Sequence, residues 1–168
     1  PIFKWLHVVA GIMWIGLLYF FNFVNTAFAP TMDGDTKKKV VPELMPRTLY
    51  WFRMGAAWTW GTGIVLLMVI YYHGGYLFDA GTKESFETGS KWGIGSFVMI
   101  GVTFLAVFAY DFLYKSSLAS NVRLATIISF LVLSIIVYGM YKWAGFGYRG
   151  YNIHLGALFG TIMAFNVW

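Results

Sequence analysis

The chain has 168 residues, 59% of them hydrophobic and only 11% charged, where a soluble domain carries about 25% charged residues; this composition belongs in a lipid bilayer. Cysteine is absent, which excludes disulfides, thiolate metal sites, iron–sulfur clusters and covalently attached c-type haem. The net charge of +5 sits on loop lysines and arginines and points to anionic lipid headgroups, with no nucleic acid partner implied.

Five apolar segments follow, judged against the roughly 20 apolar residues needed to cross about 30 Å of hydrocarbon. The first runs from Trp5 to Phe28; it is too long for a signal peptide and lacks a small-residue cleavage pattern. "APTMDGDTKKKVVPELMPR", residues 29–47, holds three prolines and a lysine run and reads as a solvated linker. The second segment, Leu49 to Tyr72, is expected to stop at the two glycines after His73. A second linker, "HGGYLFDAGTKESFETGSK", leads to the third segment, Trp92 to Tyr114; the fourth is Leu124 to Trp143. The fifth, from Tyr151, rises only about 26 Å by Trp168 at 1.5 Å per residue, so it is expected to continue in a longer chain, as the lack of an initiator Met also suggests. The fold class is therefore all-α, a polytopic transmembrane helical bundle forming one domain over residues 1–168. Tyr50–Trp51, Tyr71–Tyr72 and Tyr141–Trp143 cluster at segment ends, as in interfacial aromatic belts.

Alternation of spans puts the N-terminus and the loops after Tyr72 and Trp143 on one side. Lys4, Lys83, Lys91, Lys142 and Arg149 lie there, against Lys37, Lys38, Lys39, Arg47, Arg53, Lys115 and Arg123 opposite, a slight bias that makes the N-terminus extracytoplasmic by the positive-inside rule. The same alternation brings His7, His73 and His154 to one face. A ring nitrogen turned to lipid would be unsatisfied, so His7 and His154 are expected to point inward. At helical spacing His7 shares its face with Ala10, Gly11, Trp14 and Leu18, and His154 with Ala157, Leu158 and Thr161.

Small residues one turn from each imidazole leave room for a flat ring. A b-type haem needs that arrangement, with neutral imidazoles as axial ligands and Gly11 and Ala157 admitting the macrocycle. His7 and His154 are thus the candidate ligands to haem iron, with His73 a weaker alternative. Arg149 or Lys4 would pair with a propionate, and Trp14 would lie at the ring edge. The plainer readings stand beside these. A histidine near a helix end is ordinarily an interfacial residue bonded to a carbonyl or water, the reading preferred for His73. Gly156 and Gly160 form a small-xxx-small pair suited to helix packing. Asn22, Asn25, Arg53 and Asp111 fall near the opposite surface, where an Arg53–Asp111 pair would neutralise two costly charges. No phosphate-binding glycine loop, zinc-protease helix or nucleophile elbow occurs.

"KWLHVVAGIMWIG", "YWFRMGAAWTWGTGIVLLMVIYY", "YDFLYKS" and "IHLGALFGTIMAFNVW", in this order over nearly the whole chain, resemble the membrane domain of the PuuD-type urate oxidase (urate hydroxylase) family. The resemblance implies a multi-span module followed by a c-type cytochrome domain, urate oxidation coupled to the respiratory chain, and His7 and His154 as the span histidines. The expected function is electron transfer in a bacterial inner membrane through haem b, with a c-type cytochrome or respiratory-complex subunits as partners in a hetero-oligomer. A cofactor-free accessory subunit of a larger membrane complex and a membrane-bound urate oxidase are the alternatives.

Overall fold

The computed structural model describes residues 1–77, 93–143 and 147–167. Every regular element among them is helical, as the composition requires. The second linker beyond Leu77, with Lys83 and Lys91, lies outside the described residues, as do Trp92 and Trp168.

Helix α1 (Ile2–Thr31) is α-helical to Tyr19 and then takes a π turn over Phe20–Asn25. Thr26 Oγ1 donates to the Phe21 carbonyl of that turn, a side-chain bond onto a main-chain acceptor. Only a short break separates it from α2 (Gly34–His73), so the linker expected across residues 29–47 is mostly helix. Asp33 accounts for the difference. Its Oδ1 accepts from the backbone N–H groups of Asp35 and Thr36 at 3.0 and 2.9 Å, and its Oδ2 from the Thr36 hydroxyl at 2.8 Å, so it caps the helix and lysines with good helix propensity follow. Pro42 and Pro46 are carried inside the helix, where each removes one ladder bond. With 40 residues, α2 is about 60 Å long, twice the hydrocarbon thickness. Its lysine-rich first third extends the apolar stretch that begins at Leu49.

The predicted stop after His73 is observed. Gly74 N–H donates to the Val69 carbonyl, and Gly75 takes φ +78°, a left-handed value that favours glycine. Helices α3 (Ile94–Lys115) and α4 (Val122–Trp143) follow, joined by a 3-10 turn at Ser117–Ser120. The turn is closed by Ser116 Oγ, which accepts from Leu118 N–H, and by Asn121, whose side-chain oxygen accepts from Leu124 N–H. Helix α5 is Tyr148–Phe165. Four helices, α1 to α4, are long and apolar enough to cross a membrane. The fifth expected span, α5, has 18 residues and is not among them, because Arg149, Asn152 and His154 dilute its first two turns.

The chain forms two compact units, Pro1–Gly63 with Asn166–Trp168, and Ile64–Phe165. In the first, α1 lies antiparallel on α2 through small residues. A Cβ on Gly55 would stand 3.2 Å from Trp14 backbone atoms, one on Gly11 would meet Thr59, and one on Gly63 would meet the His7 ring. Positions 7, 11 and 14 thus face 63, 59 and 55. In the second unit, Met99 and Val107 of α3, Met140 of α4, and Leu158 and Ile162 of α5 form one apolar cluster. Leu67, Tyr72 and Leu77 form another, with Ile100, Phe104, Ile153 and Ala157 against it. Phe112, Val122, Phe130 and Ile135 are among the large apolar side chains left exposed, as on helices that face lipid.

Candidate functional site

His7 is held against α2 in the first unit. Its Nδ1 lies 2.9 Å from the Thr59 carbonyl and 3.1 Å from Thr62 Oγ1. A carbonyl only accepts, so Nδ1 carries the ring proton and donates it. The Thr62 hydroxyl spends its own proton on the Trp58 carbonyl at 2.6 Å and so offers a lone pair to the same N–H. Nε2 keeps its lone pair and has no hydrogen-bond partner among the described residues. Gly63 makes this pose possible, since a Cβ there would stand 3.2 Å from Cε1 of the ring. The backbone-anchored Nδ1–H with an available Nε2 is the tautomer a metal-ligating histidine ordinarily shows.

His154 lies in the second unit and is 0% exposed. Its Nδ1 is 2.7 Å from the Gly150 carbonyl one turn back, and its Nε2 is 2.7 Å from the Tyr72 hydroxyl. The carbonyl again places the proton on Nδ1, so Tyr72 donates to Nε2. The two rings meet edge to face, centroids 5.6 Å apart, and the phenol oxygen is also 3.4 Å from the Ser96 carbonyl. His154 therefore has the tautomer of His7 but a committed Nε2.

The remaining candidates divide. Gly11 packs against Thr59 as part of the α1–α2 contact, and Trp14 is buried with its backbone on Gly55. Ala157 packs against the cluster of Leu67, Tyr72 and Leu77, and Leu158 and Thr161 are buried on the face of α5 that carries His154. Arg149 and Lys4 are exposed near helix starts, and His73 is exposed at the end of α2. Cβ atoms on Gly156 and Gly160 would meet nothing within 4 Å. The Asp111 carboxylate is taken by Lys115 at 2.6 Å, and Arg53 Nε donates to the Val167 carbonyl at 3.4 Å. No group of three or more His, Cys, Asp or Glu comes together among the described residues.

Two features of the site lie beyond the sequence reading. Tyr72 reads as a belt aromatic, yet it is fully buried and its hydroxyl is the partner of His154. The seat of His7 on Thr59, Thr62 and Gly63 was available as a signal, because Gly55, Thr59 and Gly63 recur every four residues as a small-residue stripe.

No curated protein and no solved structure matches the chain. A family model, urate oxidase N-terminal, matches residues 2–168, and the chain belongs to that family.

Proposed function

We propose that the chain is the membrane-embedded electron-transfer module of a larger redox system, holding haem b through its span histidines and exchanging electrons with a c-type cytochrome or a respiratory complex in a bacterial inner membrane. The observation that carries this reading is His7, whose Nδ1–H is fixed by α2 while Nε2 keeps a lone pair without a hydrogen-bond partner among the described residues. A bound haem would supply a one-electron iron couple. The Thr59 carbonyl and the Thr62 oxygen hold the imidazole and fix its tautomer. Gly63 leaves the ring its place. His154 fits the role of ligand only if Tyr72 releases Nε2, since one lone pair cannot accept a proton and bind iron together. Arg149, exposed at the start of α5, has the planar fork that pairs with a propionate.

The test is a reduced-minus-oxidised spectrum of the purified protein. A b-type α band is expected, lost in His7→Ala. No band in the unaltered protein, or the same band in both His7→Ala and His154→Ala, overturns the reading. A band lost in His7→Ala and kept in His154→Ala would assign His7 alone.

Family membership favours a second reading, in which this module serves urate oxidation with electrons delivered to the respiratory chain. Urate loss in membranes containing the protein and an added electron acceptor is the measurement. Pigmented membranes that consume no urate would leave the electron-transfer reading standing and remove this one.

A further inference from the structure

Ser96 and Thr103 are seven residues apart on one face of α3, 1% and 0% exposed, and neither hydroxyl has a hydrogen-bond partner among the described residues. Other hydroxyls on these helices are treated differently. Thr59 donates to Gly55, Thr62 to Trp58, Thr126 to Val122 and Thr161 to Ala157, each to the carbonyl one turn back. Thr103 sits in mid-helix with the Met99 carbonyl in the same relation and does not use it. An unpaired buried hydroxyl is destabilising, and no bulk water reaches the bilayer core to relieve it. Such groups ordinarily resolve to an ordered internal water.

The placement of the two oxygens is not random. The Tyr72 phenol oxygen reaches the main-chain carbonyl of Ser96, near the start of α3, and Nε2 of His154, in the second turn of α5, so the two helices begin at the same end. One heptad further along each, about 10 Å deeper, come Thr103 and Thr161, both buried. Polar groups therefore recur at the same interval on both helices, among the apolar Met99, Val107, Leu158 and Ile162.

We propose that the second unit binds two internal water molecules, one on Ser96 Oγ and one on Thr103 Oγ1 a heptad deeper. The contact between α3 and α5 then carries water at two depths and is not dry. This holds with or without haem.

Thr103→Val replaces a hydroxyl by a methyl of the same shape, and Ser96→Ala removes the other oxygen. If each oxygen anchors a water, each substitution strands that water's other hydrogen bonds and lowers the melting temperature of the full chain in lipid nanodiscs, by about 2–4 °C. The two losses should add, because sites about 10 Å apart are independent. Thr103→Ser, which keeps the oxygen, should retain most of the stability lost in Thr103→Val. Melting temperatures unchanged or raised in both single variants overturn the proposal, since removing a dry orphan relieves a cost. A high-resolution map of the unaltered protein gives a second reading: water density within hydrogen-bond distance of both oxygens is expected, and an empty surround at either one overturns it.

Discussion

His7 and His154 begin as the same sequence feature, an imidazole near the start of an apolar helix with small residues nearby, and end with the same tautomer but different surroundings at Nε2. Both rings give Nδ1–H to a main-chain carbonyl, Thr59 for one and Gly150 for the other, so both direct the lone pair to Nε2. In the first unit that lone pair is unclaimed among the described residues; in the second, Tyr72 holds it at 2.7 Å. The carbonyl explains the tautomer in both. Only the neighbour across the helix contact decides whether the ring is available or locked. A histidine inside a bilayer is thus no evidence for a ligand until its second nitrogen is traced.

The largest expected effect breaks the first half of this comparison. Gly55 lets the α1 backbone approach, with Cα and N of Trp14 both 3.2 Å from where a Cβ would stand. Main-chain atoms cannot rotate aside. Gly55→Val should separate α1 from α2 and cost toward the upper end of the about 1–3 kcal/mol typical of overpacking. Thermal unfolding would report the loss, and a shift in any histidine-dependent spectrum would report the displaced ring.

Next comes the lock itself. Tyr72→Phe keeps the buried ring and removes the donor, leaving His154 Nε2 as a buried acceptor, with an expected cost of about 1–2 kcal/mol. Phe in place of Tyr also tests the contrast directly: any haem or metal probe that needs His154 should bind more tightly to this variant. Equal binding would mean that the Tyr72 contact does not control access to the ring.

Thr62→Val should have a smaller effect on His7. The Thr59 carbonyl still accepts from Nδ1–H at 2.9 Å, so the tautomer survives, and the loss is one auxiliary bond of about 0.5–1 kcal/mol. A larger loss, or a changed ring environment in a nitrogen-sensitive NMR spectrum, would show that Thr62 and not the backbone fixes the imidazole.

These contrasts also mark what the sequence could and could not reveal. Hydropathy and length carry the helical class, and the glycines after His73 carry the end of α2, because both depend on local chemistry. The linker over residues 29–47 misled because prolines weigh heavily in a turn reading, whereas Asp33 supplies a cap and the lysines a helix that tolerates Pro42 and Pro46. Tyr72 misled for another reason. Its position next to a helix end matches a belt residue, and only the packing of α2 against α3 and α5 turns it inward. Pairings such as His7 with Thr59, 52 residues apart, depend on tertiary contact, and periodicity narrows them to a stripe without choosing the partner.

The smallest expected effect lies at the solvent-facing start of α2 and sets a baseline for the buried sites. Hydrogen bonds from Thr36 N–H and the Thr36 hydroxyl, then from Asp35 N–H, hold the Asp33 carboxyl below its usual range. A folded-state value below the unfolded one, near 3.9, means that the cap contributes fully above the unfolded value and fades as pH falls through the lower, folded one. Asp33→Asn keeps an acceptor oxygen but no charge to favour the helix N-terminus. Amide exchange at Asp35 and Thr36 should therefore be slower in the unaltered chain than in Asp33→Asn at pH 6, and the difference should vanish in acid. A difference that persists below the folded value would mean that charge is not what stabilises this cap.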